Sequence, residues 1–201
     1  NTLLLAYAYS PRQNKARLAY TILQDKMEDH DRFDCRPDIV SYNTVLSACA
    51  STRSVNQQDE SLKIAVDIFR ALLQSSKQSQ ISSQNSQHRQ PCETSMDPRR
   101  PQASSTTFLH FLKVIRRLPR HRDGATSTTN RAAVLSKTIR IGIRLGLVNH
   151  FIVHQAQLGC QSQLEWEVVG GELAEYVKWN KEFDKRSCRN IPKEWTKNAR
   201  R

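Results

Sequence analysis

The stretch RPDIVSYNTVLSACA, residues 36–50, decides how this chain reads. Pro37-Asp38 forms a turn, and the apolar run behind it opens a helix whose small, late residues suit close packing. Asp38 stands where an N-cap belongs, because its carboxylate accepts bonds from the first free backbone amides. Asn43 then sits at a fixed depth inside the helix. The chain opens on NTLLLAYA, residues 1–8, a second copy of the same centre, and STTFLHFLKVIRRL, residues 105–118, is a weaker third.

Working outward, the pattern is helical nearly everywhere, and strand periodicity is absent. NTLLLAYAY and NKARLAYTILQDKM make one pair, broken at Ser10-Pro11. IVSYNTVLSACA and SLKIAVDIFRALLQ make a second, with Ile64, Ile68, Ala71 and Leu72 recurring at helical spacing. TTFLHFLKVIRRL and NRAAVLSKTIRIGIRLGLV make a third, NHFIVHQAQ a short further helix, and GELAEYVKWNKEF the next. From Gln74 to Gln90, twelve of seventeen residues are Ser or Gln, too little apolar surface to offset ordering. The resulting division is two helical hairpins over 1–74, a disordered Ser/Gln-rich insertion over 75–104, a third and degenerate hairpin over 105–147, and capping helices with a basic tail over 148–201. Hairpins in series imply an all-α fold, an α-solenoid of antiparallel helix pairs closed by a C-terminal capping helix.

Bulk properties narrow the function. The net charge of +12 is concentrated in residues 71–163, with thirteen basic against three acidic side chains, whereas residues 1–70 balance nine against nine. A basic centre suits a polyanionic partner, and equally serves solubility. The 38% hydrophobic content is low for a globular chain. Five cysteines without a CxxC pair argue against a disulfide framework or zinc knuckle. No apolar run approaches the ~18 residues that span a bilayer.

The junction at residues 36–50 closely resembles that between repeats of the pentatricopeptide repeat (PPR) family, where Pro-Asp ends one repeat and a Val-x-Tyr-Asn-Thr-like string begins the next. NTLLLAYA resembles the same string, starting at its Asn. Ala16…Tyr20 and Ala65…Phe69 match the family's spacing of an alanine and an aromatic in the second helix. The resemblance covers residues 1–72 and 105–146. Departures are the spacing and one residue. Asn1 to Asn43 is 42 and Asn43 to Leu109 is 66, against a family period of about 35, and Leu109 replaces the asparagine of the other copies.

The resemblance implies that first helices line a surface that binds single-stranded RNA. A polar residue at the fifth position of each repeat, helped by the repeat's last residue, hydrogen-bonds a base edge. Asn1 and Asp38 are then one reading pair, of the uracil-preferring type. Asn43 is the second reader, with its partner near Ser104 and no base assigned. Val40 holds the position that packs against base faces. Arg117 holds one where the family often carries a phosphate-contacting lysine, occupied by Tyr9 and Ser51 in the other copies. Bland alternatives stand beside each: Asn43 as a helix-opening residue, Asp38 as a cap, Val40 as solenoid packing, Arg117 as part of a solvated basic face. Lys137, Arg140 and Arg144 form a stripe opposite Leu135, Ile139 and Gly142, suited to solubility or to a second RNA or protein contact.

No catalytic constellation stands out, no cofactor is implied, and His150, His154 and Cys160 lack the further ligands of a zinc site. The zinc-deaminase motifs are missing. The expected function is a non-catalytic, RNA-binding helical-repeat adaptor in a mitochondrion or plastid, stabilising, processing or enabling translation of a transcript. The expected partners are single-stranded RNA and proteins of an RNA-processing or ribosomal complex, with neither a membrane nor a small-molecule substrate. So few repeats read few bases, which implies the C-terminal portion of a longer array. The alternative is a protein-binding helical scaffold within an organellar ribonucleoprotein assembly. A tetratricopeptide-like peptide binder lacks its signature here.

Overall fold

In a computed structural model of the chain, residues 1–28, 37–85, 101–117, 125–180 and 184–199 are described. Among them all regular structure is helical. The elements are α1 (Thr2–Tyr9), α2 (Lys15–Glu28), α3 (Ile39–Ser51), α4 (Val55–Asn85), α5 (Ser105–Arg116), α6 (Ala125–Arg144), α7 (His150–Gly159), α8 (Gln163–Gly170) and α9 (Glu172–Tyr176). A 3-10 turn (Lys185–Asn190) and α10 (Lys193–Thr196) close the described chain.

Local chemistry sets where these helices begin. Asp38 is extended, with φ −101°, and accepts from the Ser41 amide at 2.8 Å, while the Ser41 hydroxyl accepts from the Asp38 amide. Ser104 and Thr107 repeat this reciprocal cap at the start of α5. Asn149 caps α7 through the Ile152 amide, and Ser162 caps α8 through the Glu165 amide.

Helices α1, α3, α5 and α7 form one row, each packed on the next. Helices α2, α4, α6 and α8 each pack on the helix before them in sequence; α2 also meets α4, and α6 also meets α8. The core lies between, built from Leu4, Leu23, Leu46, Ile68, Leu72, Phe108, Leu112, Leu135, Ile139 and Ile152, all almost fully buried. At the α4–α5 junction Phe69 stacks on Phe111 (centroids 4.1 Å apart, planes 5° apart) and meets Phe108 edge-on.

The Ser/Gln-rich stretch departs from the expectation of disorder over 75–104. Helix α4 continues to Asn85, because extending a helix nucleated by the Ile64–Leu72 face costs far less than starting one. The buried Ser76 hydroxyl donates to the Leu72 carbonyl and accepts from the Ala103 amide at 3.2 Å, clasping the two ends of the stretch. Residues 86–100 lie outside the described residues.

The helix expected over GELAEYVKWNKEF is shorter, ending at Tyr176. The chain turns extended at Val177, whose carbonyl accepts from the buried Trp166 indole at 2.6 Å. Helix α8, which holds Trp166, has no counterpart in the sequence reading. Its signal was Ser162 followed three residues later by Glu165, a cap pattern.

The last segment docks on the α6–α7 turn. The Val148 amide donates to the Trp195 carbonyl, and the Asn198 amide to the Gly146 carbonyl, each at 2.8 Å. Gly146 has φ +66°, and a Cβ there would lie 2.9 Å from the Glu194 carbonyl oxygen. Gly171 also has positive φ, with nothing within 4 Å of a built Cβ. Gly146→Ala therefore strains the backbone and loosens the docked segment, whereas Gly171→Ala costs only the backbone strain, about 1–3 kcal/mol, and leaves the docked segment in place. Hydrogen exchange checks this: the Val148 and Asn198 amides lose protection in Gly146→Ala and keep it in Gly171→Ala.

Candidate functional site

The row of first helices presents one three-residue constellation twice. Asn1 Nδ2 donates to both Asp38 carboxylate oxygens at 3.3 Å, and Asn1 Oδ1 accepts from the Ser41 hydroxyl at 2.6 Å. One helix further on, Asn43 Nδ2 donates to the Ser104 hydroxyl at 3.4 Å, and Asn43 Oδ1 accepts from the Thr107 hydroxyl at 2.8 Å. In each case an asparagine, the N-cap residue of α1 or the fifth residue of α3, meets the N-cap residue and the third residue of the next first helix. The intervening chain is of very different length, with separations of 37 and 61 residues to the cap.

The asparagine amide offers a donor and an acceptor side by side, and Nδ2 of Asn43 carries two hydrogens, one more than its bond to Ser104 uses. Asp38 adds charge to the first constellation. Burial acts to raise its carboxyl, but bonds from the Ser41 amide, the Ser41 hydroxyl and the Asn1 amide outweigh it and hold Asp38 below its ordinary value. Asp38 is thus an ionised acceptor that both caps α3 and orients Asn1. Capping and presentation of the asparagine belong to one arrangement.

Val40 lies two residues after its cap and is 50% exposed. The matching residue of α5, Thr106, is exposed as well. Helix α7 continues the register in a way the sequence reading missed. Its cap is Asn149, so Phe151 falls at the offset of Val40 and is 56% exposed, while His154 falls at the offset of Asn43. The signal was the Asn before the apolar run in NHFIVHQAQ. Leu109, at the same offset in α5, is partly buried and supplies no polar atom. Beside it, burial and then Lys113 push His110 down to about 4, so its imidazole is neutral near pH 7.

At the opposite end of the first helices, Tyr9, Ser51 and Arg117 come together at one cleft of about 630 Å³. These are the three residues that occupy equivalent places in the copies. Arg12, Lys15 and Arg53 join them, and among the described residues no carboxylate lines the cleft. The Arg117 guanidinium donates to the Ala50 carbonyl, tying the end of α5 to the end of α3. Burial first, then the charges of Arg53 and Arg117, lower the Lys15 ammonium from its ordinary value. Such a cleft favours an anionic group, because each added negative charge relieves repulsion among the cations. Arg12, Lys15 and Arg53 were not singled out in the sequence, since they are spread over two turns that only the fold brings together.

The Lys137–Arg140–Arg144 stripe lies on the exposed side of α6, away from buried Leu135 and Ile139. His150, His154 and Cys160 do not converge. Among the described residues no three His, Cys, Asp or Glu side chains are placed to hold a metal ion. No described helix is long and apolar enough to cross a membrane. No protein-family model, no curated protein and no solved structure matches the chain.

Proposed function

We propose that this chain is a pentatricopeptide-type α-solenoid that binds single-stranded RNA along its first helices and acts, without catalysis of its own, as an adaptor in organellar RNA stabilisation, processing or translation. The observation that carries this reading is the repeated constellation, Asn1–Asp38–Ser41 and Asn43–Ser104–Thr107. Two asparagines making the same contacts with successive first helices, over very unequal loops, form a ladder of donor–acceptor groups. A splayed base stacked near Val40 would meet such an amide edge-on, and uracil, with an N–H beside a carbonyl, matches its donor–acceptor order. The cationic cleft around Arg117 and Lys15 supports a path for the phosphate backbone.

Leu109 favours a second reading for the third pair, a protein-binding scaffold, because an apolar side chain has no edge to offer a base.

Fluorescence anisotropy with U-rich and scrambled single-stranded RNA, titrated from about 50 to 200 mM salt, separates the two. Asn43→Ala is expected to weaken U-rich binding about tenfold and to leave scrambled RNA nearly unaffected. Thr107→Val removes the bond from the Ser104 amide and the bond to Asn43 Oδ1 but keeps the asparagine amide, and is expected to weaken U-rich binding less than Asn43→Ala does. Equal losses in the two variants would reduce Asn43 to a capping residue. Binding indifferent to sequence and abolished by modest salt would leave only a basic scaffold.

A further inference from the structure

On the other side of the molecule the second helices leave a gap. Helix α2 packs on α4, and α6 on α8, yet among the described residues the backbones of α4 and α6 nowhere come within 8 Å of each other, Cα to Cα. Between them opens a groove of about 870 Å³ with Leu73 of α4, Ala132 and Ile141 of α6, Leu145 beyond the end of α6, and Val168 of α8 along its apolar walls. Lys137, Arg140 and Arg144 stand along it at spacings of three and four, so one edge of the groove is a continuous cationic stripe over about two helical turns. Among the described residues no carboxylate lines the groove. Val168 is 65% exposed, and Leu164, one turn earlier on α8, is 72% exposed, which extends the apolar surface past the groove.

Apolar walls with a single-sign edge select an occupant that is apolar on one side and oppositely charged along the next. Phosphodiester backbone would satisfy the stripe but gain nothing from Leu73, Ile141, Leu145 and Val168. A purely apolar ligand would leave the three cations unanswered and lie half in water. We infer that the α4–α6–α8 groove is a docking site for an acidic amphipathic helix of a partner protein, with leucine-type anchors between α4 and α6 and a row of Glu or Asp against Lys137, Arg140 and Arg144. Its charge complementarity, rather than its area, sets the choice of partner. The site is separate from the asparagine ladder and stands whether or not that face binds RNA.

The test uses the whole chain and a fluorescein-labelled synthetic peptide of about five helical turns, with Leu at the i, i+3, i+4, i+7 positions and Glu flanking them. A second peptide carries Lys in place of Glu. The Glu peptide is expected to bind with a Kd on the order of 10 µM, and the Lys peptide about tenfold or more weaker. Arg140→Glu with Arg144→Glu, both on the solvent side of α6, is expected to reverse that preference. Ala133→Trp, an exposed lining position, should close the groove and weaken the Glu peptide without altering charge. Equal affinity for the two peptides, or a preference that charge reversal leaves unchanged, overturns the inference. Displacement of the Glu peptide by U-rich RNA also overturns it, assigning the groove to nucleic acid instead.

Discussion

Phe69→Ala is expected to lower the unfolding free energy by about 3–5 kcal/mol, a large fraction of the ~5–15 kcal/mol that holds a domain of this size. Phe69 is 5% exposed and lies parallel to Phe111, with Phe108 edge-on at 5.0 Å. Truncation removes the buried area, leaves a cavity flanked by two rings, and forfeits aromatic contacts worth about 0.5–1.5 kcal/mol each beyond area. The position matters because Phe69 belongs to α4 and its partners to α5, so the cluster joins the hairpins on either side of the Ser/Gln-rich stretch. Phe69→Leu keeps most of the volume and is expected to cost no more than about 1.5 kcal/mol. Urea unfolding followed by far-ultraviolet circular dichroism checks both. A loss below about 1 kcal/mol for Phe69→Ala would mean that the α4–α5 contact does not hold the fold together.

The sequence exposed one half of that cluster. Ala65 and Phe69 stand at the alanine–aromatic spacing of a second helix, and both are buried. Their opposition to Phe108 and Phe111 was not legible, because the chain between them runs through a stretch whose composition carries no pairing information. The same contrast holds at the candidate site. Asp38 announces itself as a cap from neighbouring residues, whereas the cations at Arg12, Lys15 and Arg53 are unremarkable until the fold brings them to Arg117.

A comparable loss, about 3–5 kcal/mol, is expected for Trp166→Ala. Trp166 is completely buried, and its indole Nε1 donates to the Val177 carbonyl at 2.6 Å. Its ring also bears on Gly170, where a Cβ would lie 3.2 Å from Cε2 and Cζ2. Trp166→Phe separates the two contributions: the apolar filling largely remains, while the Val177 carbonyl is left buried and unpaired at a cost of about 1–3 kcal/mol. Nearby, buried Arg131 on α6 donates to the Gly159 carbonyl and pairs with Glu165 at 3.5 Å, so α6, α7 and α8 are locked at the same end. Unfolding the Trp166 region is therefore expected to be cooperative with the third hairpin. Hydrogen exchange would show the α6 and α8 amides losing protection together in Trp166→Ala. Loss confined to α8 and α9 would show the C-terminal helices to be an independent unit.

By itself the sequence determined the helical class, the start of α3 at its Asp38 cap, and the depth of Asn43 inside that helix. All three rest on interactions between residues three or four apart, which the order of residues states directly. Only the tertiary structure decided which of these local features meet. Asn43 reaches Ser104 across 61 residues, Arg117 reaches Ala50 across 67, and Trp166 becomes the largest fully buried side chain of a helix that composition did not single out. The physical reason is that loop closure grows only with the logarithm of length, so sequence separation neither forbids nor predicts such meetings. Packing of buried faces chooses among them, and with that choice come the ladder of amides on one side and the open groove on the other.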